Sequence, residues 1–322
     1  MSDTIKILRK LSYELQSTAS YEDSSMVLAP LLSGIPVQSF DSIEDEAIDG
    51  GGFRDTSLQG PRKTGGSISQ YLDKTSIRVL LKAAFGNEIG VTPQVLSPSD
   101  NELKLSIGGL DGVKYNQYAD CYVTRLRIEG SAGQAFNVSW DFISPTAEVR
   151  AATAGYPTPA AFGERFSFHE MGGLNGYFRV GNCDDALDSG DNLCVEDFFI
   201  EISNMMDYQY SNCGIGSLTP RWGMGGNIQV TAGFTVARHD ADDFLSWRDG
   251  DTGLQLDANI YKAADSQFRI YLPWTKCKAS VSDDPTAKVN VELMVSRNGE
   301  STNYYNSNMA YNEPIRCTTT FA

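Results

Sequence analysis

The chain has 322 residues, a net charge of −15 and a 41% hydrophobic share, which suits two ordinary domains with a core each and excludes wholesale disorder. The acidic excess, −5 over residues 1–153 and −10 over 154–322, excludes an electrostatic nucleic-acid binder, since such binding needs Lys and Arg against phosphates. No apolar run reaches the length of a membrane span, and Ile5–Leu15 has neither the apolar core nor the cleavage site of an export signal. The six cysteines show no CxxC pairing, so buried free thiols are expected, with a Cys183–Cys194 bridge across an acidic loop as the alternative.

In chain order, Ile5, Leu8, Leu11 and Leu15 share one face and predict a short amphipathic helix or arm over 4–16. A Gly-rich segment, Gly50-Gly51-Gly52-Phe53-Arg54, then precedes a strand starting near Ile68. Ser76–Phe85 (SIRVLLKAAF) is the strongest helix, stopped by Gly86; Asp240–Arg248 is its counterpart, stopped by Gly250. Strands follow the first helix at Leu103–Ile107, Tyr122–Ile128 and Phe136–Phe142. Leu254–Ile260, Phe268–Leu272, Cys277–Val281 and Val289–Val295 follow the second. Ser144–Ala161, rich in small residues and Pro, reads as a linker, and Ile315–Phe321 as a final alternating strand.

Two stretches are written twice. Ser57–Ile68 aligns without gaps on Ser217–Ile228, with five of twelve positions identical, including Gly65-Gly66 on Gly225-Gly226. Arg125–Phe142 aligns likewise on Lys278–Val295, placing Phe136, Val138, Trp140 and Phe142 on Val289, Val291, Leu293 and Val295. Apolar positions two apart, repeated in the same order, indicate one buried strand face used twice. Two copies are too few for a solenoid and point to pseudo-symmetry, which proteins use to build assemblies.

Catalytic patterns are weak. His169 and His239 lie in different copies with nothing resembling a triad around them. There is no GxSxG, P-loop or HExxH, and Gly214-Ile215-Gly216 lacks the context of a dinucleotide site. Asp184, Asp185, Asp188 and Asp191 depart from calcium-loop spacing and read as a solvated acidic loop. No enzyme, cofactor or metal is expected.

The second copy resembles the major tail tube proteins of long-tailed, siphovirus-like bacteriophages. The resemblance rests on Phe198–Asn204, then Gly216–Pro220, Gly225–Phe234, a short helix at Asp242–Trp247, and Phe268–Pro273. The first copy is similar more loosely. The resemblance implies a mainly β fold of two tandem tail-tube-like β-sandwich or barrel domains, each with a flanking α-helix and a long hairpin loop. The expected divisions are an N-terminal arm at 1–36, a first domain at 37–143, a linker at 144–161 and a second domain at 162–322. It implies trimeric rings of pseudo-sixfold symmetry, stacked into a virion tail tube through which DNA is ejected. Tail terminator and baseplate proteins would be partners, with tape measure protein and DNA in the lumen without tight binding, no membrane contact, and assembly in the host cytoplasm.

On that reading the loops Ala47–Thr64 and Asp207–Met224 reach adjacent rings, with Gly50, Gly51, Gly52, Phe53, Arg54, Tyr210, Arg221 and Trp222 as contact candidates. The alternating strands offer Glu102, Lys104, Gln255 and Asp257 as a polar face towards the lumen or the exterior. The alternative function is a carbohydrate-binding or adhesin-like receptor module, with Tyr304, Tyr305 and Tyr311 as exposed aromatic candidates. A baseplate or distal tail protein of the same fold is another.

Overall fold

A computed structural model describes residues 10–18, 20–34, 36–43, 58–86, 88–89, 94–96, 103–110, 114–146, 148–173, 175–183, 185–203, 208–209, 221–222, 229–236, 241–280, 289–295 and 315–321. The first half contains β1 (Lys10–Gln16), β2 (Val27–Leu28), β3 (Leu31–Ser33), β4 (Val37–Ile43), β5 (Leu58–Tyr71) and α1 (Ser76–Phe85). It continues through β6 (Glu88–Ile89), β7 (Gln94–Leu96), β8 (Lys104–Leu110), β9 (Tyr115–Ser131), β10 (Asn137–Ser144) and β11 (Val149–Ala151). The second half contains β12 (Tyr177–Asn182), β13 (Val195–Ser203), β14 (Tyr208–Gln209), β15 (Arg221–Trp222), β16 (Gln229–Val236) and α2 (Ala241–Asp249). It ends with β17 (Gly253–Ala263), β18 (Ser266–Ser280), β19 (Val289–Val295) and β20 (Arg316–Phe321). The fold is mainly β, as the sequence indicates, and all strands but the β14–β15 pair join one hydrogen-bonded sheet.

The two halves pair their strands in the same order. The first runs β4–β5–β10–β9–β8–β1, the second β13–β16–β19–β18–β17–β12, all antiparallel. In each, one long strand serves two layers by bending at a bulge. β9 pairs with β8 up to Cys121 and with β10 from Tyr122 onward, and Asp120 at the bend has φ 50. An Asp tolerates that left-handed backbone better than most residues. Lys104 Nζ at 2.8 Å and the amide of Gln16 fix its carboxylate. In β18 the register shifts at Pro273 and Trp274, where the missing proline N–H leaves no ladder bond unmade.

Alternation supplies the core between the layers. In β10, Val138, Trp140 and Phe142 are buried while Asn137, Ser139 and Asp141 are only partly covered. In β19 the buried set is Val289, Val291 and Leu293. Full burial of a side chain of this size stabilises by about 1.5–3 kcal/mol. The buried apolar residues of both halves form one contiguous cluster, where length alone suggested a core each. Trp140 Nε1 and the Tyr13 hydroxyl both donate to Gln70 Oε1 at 3.3 Å, and Gln70 Nε2 donates to Ser76 Oγ at 2.8 Å, so this buried polar network is satisfied.

Helix α1 buries Ile77, Leu80, Leu81, Ala84 and Phe85, a stripe at i, i+3 and i+4 spacing. Asp73 accepts from the amides of Thr75 at 3.0 Å and Ser76 at 3.1 Å, capping its start, and from Gly163 N at 3.0 Å. Gly86 ends it at φ 74, its N–H donating to Lys82 O.

Several expectations need correction. Residues 10–16 form strand β1, not a helix: Leu11 and Tyr13 enter the core and seven residue pairs join β1 to β8. The segment Lys10–Leu15 also alternates, and the ladder to β8 prevails over helical spacing. Residues 58–64, expected in a loop, belong to β5 and pair with β4. The expected linker is docked on the first half, through β11 against β9, Ala160 beside Val27, and Tyr156 edge-on to Tyr115 at 5.2 Å. The repeat alignment also shifts. Trp140 faces Ile68 and Leu126, whereas Leu293 faces Ala232 and Cys277. Taking Trp140 and Leu293 as equivalents, Ile68 corresponds to Ala232 rather than Ile228, and Leu126 to Cys277 rather than Ala279. Both shifts are even, so every side chain keeps its face. Cys183 is buried and Cys194 exposed, both unbridged.

Candidate assembly surface: a polar sheet face crossing both halves

The two halves meet along a strand pair. β13 adds to the edge of β9 where β8 has ended, with seven residue pairs from Asp197↔Ser131 to Ser203↔Arg125. The sheet β4–β5–β10–β9 therefore continues through β13–β16–β19–β18 without a break.

Since side chains alternate across a strand, the register defines what the face away from the core presents. One lateral row reads Tyr71, Asn137, Glu129, Phe199, Gly233, Glu292, Lys278. The next reads Ser69, Ser139, Arg127, Glu201, Thr231, Met294, Lys276, and a third Ser67, Asp141, Arg125, Ser203, Gln229. Core-facing partners such as Leu126, Ile128, Ile200, Ile202 and Ala232 lie between these rows and are buried. A face of this composition, backed by an apolar one, is a sheet with water on one side. Its rows carry four acids (Glu129, Asp141, Glu201, Glu292) and four bases (Arg125, Arg127, Lys276, Lys278), so they balance.

The bases nearest the seam are engaged. Arg125 reaches Glu201 at 2.8 Å and Asp141 at 3.6 Å; Arg127 reaches Glu129 at 2.8 Å and Glu201 at 3.2 Å. Glu201 of the second half thus accepts from two arginines of the first. Arg125, followed by Arg127, holds its carboxyl below the usual carboxylate range. The Arg127 guanidinium also stacks on the Phe199 ring at 4.0 Å from its centroid. Phe199 in turn lies over Gly233, where a Cβ would sit 2.3 Å from the ring. Lys276 is tied to Asp251 at 2.8 Å. Engaged cations offer little to a passing phosphate.

One strand pair extends past this sheet. β4 and β5 stay paired beyond the end of β10 through four residue pairs, from Ser39↔Lys63 to Ile43↔Leu58, with a register shift between Phe40 and Ser42. At about 3.3 Å per residue, β5 runs about 20 Å past the end of β10. Between β13 and β16 in the chain, β14 and β15 form a separate two-stranded pair, Tyr208 opposite Trp222 and Gln209 opposite Arg221.

The expected site residues fall as follows. Gly50, Gly51, Gly52, Phe53, Arg54, Tyr210, Glu102, Tyr304, Tyr305 and Tyr311 lie outside the described residues. Arg221 and Trp222 form β15 on the second hairpin. Lys104 lies at the β9 bend, bound to Asp120. Gln255 and Asp257 do not present a water-facing strand face in the chain, being 2% and 3% exposed. Gln255 Nε2 donates to the carbonyls of Asn182 and Asp185, and Asp257 is held by Arg269 at 2.6 Å and Tyr177 at 3.2 Å. A loop and strand β12 cover that side of β17, which alternation within β17 does not reveal. Asp188 and Asp191 cap their own short turn. Nothing in the sequence marks the seam residues Arg125, Arg127, Phe199 and Glu201 as a site, although their alternation with buried neighbours is visible there.

No curated protein matches the chain. A family profile described as "Phage tail tube protein" matches residues 11–299, nearly the whole chain. With this coverage and a mainly β architecture, the chain belongs to the phage tail tube protein family, structural components of the virion tail.

Proposed function

We propose that three chains close a ring of six pseudo-equivalent sheets, and that such rings stack into the tube through which phage DNA is ejected. The β9–β13 seam is the observation that carries this reading: within one chain, one half already adds its hairpin strand to the other half's sheet edge. The same step between chains would join β4 to β18. Among the described residues β4 pairs only with β5, and the far end of β18, past Lys276, pairs only with β19. That end of β18 lies where β17 has stopped, as β13 meets β9 where β8 has stopped. Ring closure removes both open edges, which would otherwise favour uncontrolled association. A head-to-tail ring contact does not close and so makes a filament.

The balanced polar face becomes the lumen wall on this reading. Its engaged arginines, with the chain's net charge of −15, let DNA slide without sticking. Tape measure protein would share that lumen before ejection, and tail terminator and baseplate proteins would occupy the tube ends. Assembly would take place in the host cytoplasm. Negative-stain images of the purified chain test the reading: hollow tubes of uniform width are expected, and a persistent monomer at high concentration would contradict it.

A further inference from the structure

We propose that the β7–β20 strand pair is a brace that fixes the angle between the two halves before assembly, so that each chain enters a ring as one rigid pair. The brace stands on the strand pairings; only its part in assembly rests on the ring reading above.

β20 lies between the halves. On one side six residue pairs, from Ser266↔Phe321 to Tyr271↔Arg316, join it to β18 of the second half. On the other, Cys317↔Leu96, Thr318↔Val95 and Thr319↔Gln94 join it to β7 of the first half. β7 pairs with β6, and Glu88 of β6 is held on α1 by Arg78 at 2.6 Å and Lys82 at 2.8 Å. A path of ion pairs and strand pairs thus runs from the helix of one half to the sheet of the other. Ile315 and Cys317 anchor it in the shared core, and Thr319 is buried beside them in β20.

The brace and the seam lie in different layers. The seam β9–β13 uses the part of β9 that also carries β10, in the layer of the polar face. β20 runs along the part of β18 that carries β17, in the other layer. Linked units move relative to one another unless a large interface holds them, and a single strand pair can act as a hinge. A second joint in the opposite layer blocks rotation about the first.

Only one of the two junctions in a ring is braced in this way. Residues 86–103 separate α1 from β8 and include β6 and β7, whereas residues 250–252 alone separate α2 from β17. The second half therefore has no segment in that place to reach a neighbouring chain. β11 lies on β9 opposite β8 as β20 lies on β18 opposite β17. Among the described residues β11 pairs only with β9, and its Val149 is 56% exposed. The angle is thus set inside each chain, and the unbraced junctions between chains adjust to it.

Double electron–electron resonance on the unassembled full chain tests the brace. Spin labels go on Arg150→Cys in the first half and on the exposed Cys194 in the second, in a Cys213→Ser background. One narrow distance is expected. Val95→Pro removes a ladder donor from β7 and should widen that distribution about twofold, with wild-type circular dichroism. The same variant without labels should need about tenfold more protein to form tubes. Val95→Thr keeps the N–H and should match wild type in both. Glu88→Lys leaves β7 and β20 intact, sets a cation between Arg78 and Lys82, and should widen the distance in the same direction. An unchanged narrow distance in either folded variant would overturn the brace. A widened distance with wild-type tube growth would overturn its part in assembly. A wild-type chain that keeps the narrow distance and forms no tubes would overturn the ring reading and leave the brace standing.

Discussion

Arg125 Nη2 lies 2.8 Å from Glu201 Oε2, joining β9 of the first half to β13 of the second across 76 residues of chain. Arg127 reaches the same carboxylate, so one acid of the second half holds two bases of the first. Partly exposed pairs of this kind are individually weak, about 0–1 kcal/mol, and gain when several share one acceptor. Glu201→Gln should lower stability at neutral pH by about 1 kcal/mol, read by urea unfolding.

The same pair gives a pH dependence with a definite sign. Glu201 has its folded-state pKa lowered, so its contribution is present above the ordinary carboxylate pKa of about 4.3 and is lost as pH falls through the folded value. Wild-type and Glu201→Gln melting curves should therefore differ at pH 6–7 and converge as pH falls below about 4. An undiminished gap in acid would show that the substitution acts through packing instead.

Gly233 gives Phe199 its place on the sheet face. In Gly233→Val the new Cβ would meet the ring at 2.3 Å, so Phe199 must swing out and leave Arg127 unstacked. A loss of about 1–3 kcal/mol is expected from the forced shift. Ring displacement would appear as a changed near-ultraviolet circular dichroism signal, and an unchanged signal with wild-type stability would contradict the packing described.

Asp73 joins helix α1 to the segment that enters the second half. Asp73→Ala leaves the amides of Thr75, Ser76 and Gly163 without their acceptor. It should cost about 1–3 kcal/mol in thermal or urea unfolding. Asp73→Asn keeps an acceptor oxygen and should cost visibly less.

Much of the fold is legible in the sequence because its strongest elements advertise themselves locally. Ser76–Phe85 carries a helical stripe and a terminal Gly, and Phe136–Phe142 alternates over its whole length. Residues 10–16 fit both a helix face and a strand, and only the distant partner β8 decides between them. Gln255 and Asp257 mislead for a related reason: alternation marks a polar face, but whether a loop such as the one at Asp185 covers it depends on tertiary packing. The seam is the least legible part, since nothing near Arg125 says that Glu201 will stand opposite it. The repeated pattern is visible in the sequence, while the register that relates the two halves, set by Trp140 opposite Ile68 and Leu293 opposite Ala232, comes only from the strand pairings.

The hairpins permit a direct test of stacking. Deleting residues 50–56 from the first hairpin should leave a folded, soluble chain that no longer polymerises into tubes. Normal tubes from that variant, seen by negative stain, would remove the first hairpin from the ring-to-ring contact.

The number of chains per ring tests the central claim most directly. Helical reconstruction of the tube, or native mass measurement of single rings, should give three chains, with the two halves alternating around the lumen and β4 of each chain beside β18 of the next. Six chains per ring would contradict the account, because one half alone would then form the tube and the β9–β13 seam would not be the repeating unit of its wall.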